Sequence, residues 1–578
     1  MMTEMITRRI RQLHLIGLGL LAALLPFELK TPIVTLGPIV LTNVEGLLYA
    51  VIVLWIFGVL RARGVRWTPA HNAVLAWVIV QFAAAIFAPI ERDAAIKFAL
   101  RSAGGAALFF IAAEWIRSGR RAAWIMSAIA IGAVVSAVAG VLEIHFDAVQ
   151  AALLIFKTQA TLVGGQLRAG STFQYANTAA MYWEAALPVL IAVGVWWSIG
   201  RGQRRWIAFA FAASLSVIEA IVLSASRAAV ASAALTLGIM IVTDRVSRTR
   251  SGLARSGVIS LITLGVLISV ELIANPIFAT RLRSENDDTW FRASLQPLHA
   301  ELSASAGDLI TETISVTNTS VWPWSASGVR PVHVSYHWIQ PASRRVLILD
   351  GERTPLPHDL APGETATVAA FVKIPPVTGT MLLQWDLVQE DVTWFSERGS
   401  AVAEVKVQVT PAQQNHVAVV APMSGQLSNT SSPPRAELWR AGVKMWLNYP
   451  WLGVGPDNFR HTYGPYLGQA AFDDRITANS WYVELLATTG GVGLMTWLLI
   501  PVALIVIARR HWRMLAQSDR VLMIGLSTAL LAFLLHGTVD YFMEFTPTYG
   551  LVWLIAGLLV GLLTGTHDVE FASTADRV

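Results

Sequence analysis

Five ionisable side chains stand inside or at the rim of long apolar runs in this sequence: Lys97, Arg101, Glu184, Glu219 and Arg227. A charge in hydrocarbon is costly, so it persists where it has a partner or a task. Lys97 and Arg101 are spaced to share one helix face. Arginine suits a diphosphate, because its planar fork donates paired hydrogen bonds to oxyanions and keeps its charge at every relevant pH. Such residues on several runs form either structural ion pairs, Arg101 with Glu184 for example, or a shared polar cavity that opens to water and holds an anion. The group as a whole favours the cavity. The anion this depth offers is a lipid diphosphate, with its tail in the bilayer and its glycan in water.

The elements that position these residues are membrane helices. The 578-residue chain is 54% hydrophobic and 14% charged, with a mean hydropathy of +0.54, whereas about a quarter of a soluble domain is charged. Apolar windows long enough to span a bilayer recur near 13–28, 42–60, 71–90, 97–116, 122–142, 177–199, 206–224, 228–243, 256–274, 489–507, 520–538 and 548–565, about twelve in all. The basic stretch Arg8, Arg9, Arg11 resembles a signal peptide's start, but no small-residue cleavage site follows, and the first window reads as a retained helix.

The net charge of +5 is explained by topology. Arginines gather in alternate loops: Arg8/Arg9/Arg11, Arg61/Arg63/Arg66, Arg117/Arg120/Arg121, Arg201/Arg204/Arg205, Arg245/Arg248/Arg250/Arg255 and Arg509/Arg510/Arg513/Arg520. The other short loops hold only Lys30, Arg92, Lys97, Lys157, Arg168 and Arg227. This positive-inside pattern puts both termini in the cytoplasm and the long segment after the ninth window outside. It argues against a nucleic-acid partner. The five charges then fall in the outer third of the bilayer. The chain has no cysteine, which removes disulfides, thiolate catalysis and Cys-ligated zinc.

Between the ninth and tenth windows the pattern changes from continuous apolar runs to alternation. Candidate strands cover 298–303, 310–316, 332–338, 346–349, 365–372, 381–388 and 403–409, with turn signals at Asp350-Gly351 and Pro362-Gly363. About seven short strands argue an immunoglobulin-like sandwich, with Trp338, Trp385 and Trp394 better explained as core than as a sugar-stacking platform. The expected fold is an all-α polytopic membrane protein of about twelve helices with an inserted all-β, Ig-like sandwich. Its parts are 1–290 (about nine helices), 291–410 (extracytoplasmic sandwich), 411–434 (polar, Pro-containing linker), 435–488 (extracytoplasmic helical loop) and 489–578 (three helices and a cytoplasmic tail).

Four local motifs in order carry a resemblance. Gly170-Ser-Thr-Phe173 followed by Asn177 is similar to "G-T-F-x-x-x-N", and Ser226-Arg227-Ala to an "S-R-G/A" helix start. Arg435, Trp439, Pro450, Gly453, Gly455 and Phe459 resemble "R-x-x-x-W … P-x-x-G-x-G-x-x-x-F". Asn479, Leu486, Gly490 and Gly493 stand in a stretch similar to "H-N-x-x-L-x-x-L-x-x-x-G-x-x-G". This order resembles the O-antigen ligase/polymerase family over roughly 1–290 and 430–565, without the sandwich. Taken singly each signal is weak; Gly453-x-Gly455 alone reads as a tight turn.

The resemblance implies an inverting, metal-independent enzyme with no cofactor. It would move glycan from an undecaprenyl diphosphate carrier to a hydroxyl of an acceptor glycan or lipid, on the outer face of a bacterial cytoplasmic membrane. It implies that Arg227 and Arg435 hold the leaving diphosphate, and it adds Arg168, Asn177 and Asn479 to the substrate-binding candidates Arg101 and Lys97. The family's presumed base, the His of "H-N", is Ala478 here. His461 is a candidate replacement, with Asp473, Asp474 and Glu484 behind it; its plainer role is a solvated loop histidine. Asp540, at the outer end of the eleventh helix, either joins the polar cavity or ends that helix near the surface. The missing His leans toward a polymerase-like member. A polysaccharide transporter or flippase would use the same outer charges as a substrate path, but no inverted repeat is evident. An adhesion or sensing protein anchored by its helices would not need so many.

Overall fold

The computed structural model describes residues 2–36, 39–61, 67–163, 166–247, 251–275, 278, 287–328, 330–390, 392–411, 433–468 and 472–565. The first helical block comprises α1 (Met2–Leu24), α2 (Asn43–Arg61), α3 (Pro69–Ile86), α4 (Arg92–Trp115), α5 (Gly119–His145), the short α6 (Asp147–Leu153), α7 (Ala176–Arg201), α8 (Arg205–Leu223), α9 (Arg227–Val246) and α10 (Leu253–Ala274). After the β region follow α11 (Arg435–Asn448), α12 (Phe459–Tyr466), α13 (Trp481–His511), α14 (Gln517–His536) and α15 (Thr546–Gly565). Serines cap three long helices: Ser118 accepts from Arg121 N, Ser226 from Ala229 N and Ser480 from Val483 N, which satisfies amides left open at a helix start.

Among the described residues ten helices are long and apolar enough to cross a membrane, and Leu13–Leu24 and Asn43–Phe57 add two shorter apolar stretches. The chain is thus a polytopic membrane protein with an inserted β domain, as its composition requires. Helices α7 and α15 are buried along nearly their whole length, the expected fate of a helix apolar on every side. Gly557, Gly561 and Gly565 let α15 press on the chain of α4 and its C-terminal end: a Cβ at these positions would lie 2.4 to 2.5 Å from carbonyl oxygens of Phe109, Ile116 and Arg117.

Short hairpins pair β1 (Val34–Leu36) with β2 (Ile39–Leu41) and β3 (Leu162–Val163) with β4 (Gln166–Leu167). The inserted domain has two sheets. One contains β5 (Ala293–Pro297), β7 (Leu309–Asn318) and β11 (Thr365–Lys373) in the order β11-β7-β5. The other contains β6 (Glu301–Ser305), β8 (Val332–Ile339), β9 (Val346–Ile348), β10 (Thr354–Pro355), β12 (Gly379–Gln389), β13 (Thr393–Trp394) and β14 (Ala403–Thr410), along the path β10-β8-β12-β14-β6.

Their inward faces share one core that includes Val316, Val334, Trp338, Val368, Leu383, Trp385 and Val407. Trp338 and Trp385 are fully buried, and at about 25 cal/mol per Å² burying a ring of roughly 150–250 Å² stabilises a domain without disulfides by several kcal/mol. Trp394 is only half-buried, with the Arg353 guanidinium 4.8 Å and the His337 ring 4.4 Å from it.

The strand expected at 298–303 overlaps only β6, at 301–303, and β5 before it is a further strand. Leu298 is an exposed corner between β5, which pairs with β7, and β6, which pairs with β14 in the other sheet. Alternation in sequence cannot reveal where a chain changes sheets, because both halves keep the same period. The linker expected at 411–434 lies almost wholly outside the described residues. The span expected to begin at 489 continues upward: α13 starts at Trp481 and turns at Gly490, whose φ of 67° and ψ of −170° are not helical.

Candidate functional site

The loop entering α7 is built on a buried ion pair. Lys157 meets Glu143, both fully enclosed, and the second Glu143 oxygen accepts from the N–H groups of Ser171 (2.7 Å) and Gly170 (3.2 Å). The loop so held presents Arg168, which donates Nε to Ser224 O (2.7 Å) and a terminal nitrogen to Asn177 Oδ1 (2.6 Å). Asn177 Nδ2 donates in turn to Asp540 Oδ2 at 2.8 Å. Arg168 therefore joins three regions: the start of α7, the turn between α8 and α9, and the segment after α14. Arg227 is the first residue of α9, directly beyond that turn, and is half-buried.

A second set of contacts docks the segment after α11. Val454 N donates to Ala487 O (3.0 Å), Gly455 N to Thr488 O (2.9 Å) and Gly491 N to Pro450 O (2.8 Å). Gly453 has φ 66°, and a Cβ there would stand 2.3 Å from the Thr488 carbonyl carbon. A Cβ on Gly490 would stand 2.3 Å from Trp451 C. Glycines from two separate motifs thus admit each other's backbone, for which no other residue leaves room. Asn458 completes the dock by donating Nδ2 to Ile90 O (2.7 Å), on the connection between α3 and α4, and to Val454 O (3.0 Å).

This dock carries Asp457 and Arg460, an ion pair at 2.5 Å. Arg460 lies within electrostatic reach of Glu544 and Tyr541, and Asp457 within reach of His461 and Arg101. Burial pushes the Asp457 carboxyl up despite Arg460. Burial and the Asp457 charge push Glu544 up to about 7. Burial raises Asp540 as well, opposed first by Arg435, then by the Tyr541 N–H, Asn177 and Arg168. Arg435, at the start of α11, is half-buried; among the described residues its buried Nε finds no hydrogen-bond partner.

Glu484 is buried on the first turns of α13, where Oε2 accepts from Ala478 N at 2.9 Å. The carboxylate thus reaches back to the position where the sequence motif has its histidine. Asn479 follows with φ 49° and is half-buried, and His461 is half-buried on α12.

The structure divides the five charges expected to share one cavity. The Arg101–Glu184 pair is not formed: Arg101 faces Glu45 (3.4 Å), donates to Thr546 Oγ1 (2.8 Å) and lies 5.4 Å from the Tyr549 ring centre. Glu184 instead meets His536 Nδ1 at 2.9 Å, both fully buried. The reason is helix order: α4 packs against α15, whereas α7 packs against α14, which carries His536. Lys97 is exposed and Glu219 half-buried. Asp540 does not merely end a helix, since α14 stops at His536.

Sequence reasoning missed Glu45, Glu143, Asp457, Arg460 and Glu544. Two of them had an available signal: Asp457 is an acid inside the Pro450–Phe459 motif, and Glu544 is an acid just before a helix start, outside the spans.

Residues 366–498 match the model of the O-antigen ligase family. The matched stretch begins in β11, further into the β region than the sequence motifs reach, and contains Arg435, Gly453, Asp457, Ala478, Glu484 and Gly490. No curated protein matches the chain.

Proposed function

Starting from a multi-pass membrane protein whose matched stretch and motifs agree on the O-antigen ligase family, we propose that the chain transfers glycan from an undecaprenyl diphosphate carrier to an acceptor hydroxyl. The reaction takes place at the extracytoplasmic face of the bacterial cytoplasmic membrane, with both termini in the cytoplasm. The observation that carries this reading is the convergence on Asp540 of residues from two motifs far apart in sequence: Asn177 by hydrogen bond, with Arg168 behind it, and Arg435 by its charge. The turn held by Arg168 leads directly into Arg227.

In this reaction the bond from the sugar's anomeric carbon to the diphosphate oxygen breaks, and a bond from that carbon to the acceptor oxygen forms on the opposite face. The diphosphate leaves with both bonding electrons, and Arg227 and Arg435 receive the added negative charge, an electrostatic stabilisation that grows toward the transition state. The acceptor's proton passes to a carboxylate. Glu484 is the assigned base, because its oxygen lies against the backbone of Ala478. His461, near Asp457, is the second candidate. Arg101 and Asn479 line the substrate path in this reading.

The test is to incubate purified protein with an undecaprenyl diphosphate oligosaccharide, alone and with glycan or lipid acceptors, and to size the products. Chain growth without acceptor identifies a polymerase, and transfer only to an added acceptor identifies a ligase. Donor that crosses a vesicle bilayer and stays intact in every mixture identifies a flippase and sinks the reading.

A further inference from the structure

Helix α11 divides into three sectors when its residues are laid out at roughly 100° per residue. Leu438, Ala441, Gly442 and Met445 form the buried sector, packed toward α13. Arg440, Lys444 and Asn448 form a polar sector, and two of them bond the end of α12: Lys444 Nζ donates to Tyr466 O (3.2 Å) and Asn448 Nδ2 to Tyr466 Oη (3.1 Å). Between these lies an apolar flank of Trp439, Val443, Trp446 and Leu447, which Tyr449 and Trp451 extend past the helix end. Val443, Leu447, Tyr449 and Trp451 are exposed, Trp451 by 74%.

These four are the exposed large hydrophobic residues among the described part of 435–480. A soluble loop would scatter such residues; here they form one strip. Its depth is fixed by the backbone. Pro450 O accepts from Gly491 N at 2.8 Å and Trp451 O from Val492 N at 3.4 Å. Trp451 thus stands level with the turn of α13 that immediately precedes Met495, Leu498, Leu499 and Val502, the exposed apolar side of that spanning helix. The strip is continuous with that exposed apolar side of α13.

We propose that the flank of α11 and the turn 449–452 lie in the outer membrane interface, with Trp451 and Leu447 among the lipid headgroups and upper acyl chains. Aromatic rings with a polar edge favour that layer, and an amphipathic helix with one apolar flank lies along it. The polar sector then faces water. The occupant of the strip is the bilayer itself, so the claim stands apart from the reaction proposed above.

The absence of cysteine from the chain makes the test direct. Single cysteines at Trp451→Cys, Leu447→Cys and, on the polar sector, Arg440→Cys are labelled with a fluorophore in the full-length protein in lipid nanodiscs. Quenching is then measured by nitroxides on shallow acyl positions and by aqueous iodide. The expected result is strong lipid-nitroxide quenching with several-fold protection from iodide at 451 and 447, and the reverse at 440. Iodide access at 451 and 447 equal to that at 440 overturns the proposal. Protection from both quenchers at 451 and 447 also overturns it, since a protein surface would then cover the strip. The positions are exposed, so labelling does not depend on disturbing a core, and agreement between the two guards against a local effect of either substitution.

Discussion

Glu484 Oε2 accepts a hydrogen bond from the backbone N–H of Ala478 at 2.9 Å. Position 478 is where the sequence motif calls for histidine, and the carboxylate supplies an acceptor beside a side chain that has none. Replacing Glu484→Gln keeps the shape and removes the base. The expected effect is a loss of roughly 10²–10⁴ in kcat, the usual worth of a general base, with thermal stability nearly unchanged. Product formation under donor saturation is the measurement; a kcat within about twofold of the parent's would transfer the role to His461.

Arg168 is a positioning residue, and its fork is what matters. It donates both to Ser224 O and to Asn177 Oδ1, which an ammonium on a flexible stem cannot match. Arg168→Lys should leave Asn177 underbonded and cost about 1–3 kcal/mol, read as a fall in kcat/KM for the lipid-linked donor together with a lower Tm. Lys97→Ala, at an exposed site, should change stability by no more than about 0.5 kcal/mol. Equal defects in the two variants would remove the distinction drawn between them.

Gly453 and Gly490 should tolerate nothing larger. A Cβ at either meets backbone at 2.3 Å, and both have left-handed φ, 66° and 67°, so Gly→Ala adds overpacking of about 1–3 kcal/mol to backbone strain. Gly491→Ala next door meets nothing nearer than 3.5 Å and serves as the control. Thermal unfolding in detergent should rank Gly491→Ala with the parent and the other two well below it.

Acid should stabilise the site. Burial lifts the Glu544 carboxyl from its ordinary 4.5 to about 7, and Asp457 and Asp540 move in the same direction. Between those values the folded chain holds more protons than the unfolded one, so stability is fully present below 4.5 and falls as pH rises through 7. Tm should therefore decline from pH 5 to pH 8, and Glu544→Gln, which cannot ionise, should flatten the slope. A slope unaltered in that variant would mean that Glu544 is ionised throughout.

Much of this architecture is legible in the sequence because membrane helices are written as long apolar runs. The four motifs also mark Arg168, Asn177, Arg435 and Gly490 as belonging together. What was hidden is the choice of neighbour. Nothing local to Arg101 says that α4 will pack on α15 and so pair it with Glu45 and Thr546, leaving Glu184 to His536. Leu298 shows the same limit in the β domain, where a change of sheet leaves the alternation intact. The dock between Gly453 and Gly490 needed both motifs in three dimensions before either glycine had a reason.

In the proposed reaction guanidinium groups accept the charge of a departing lipid diphosphate, and this charge transfer sets the rate. This is tested most directly by the rate of carrier diphosphate release from an undecaprenyl diphosphate oligosaccharide with Arg227→Ala, Arg435→Ala and Arg435→Lys, each first shown to keep the parent's Tm. A drop of roughly 10²–10³ in each alanine variant, the usual loss when a charge-stabilising donor is removed, with partial recovery in Arg435→Lys, is the predicted result. Release at the parent's rate from folded Arg227→Ala and Arg435→Ala protein would contradict it.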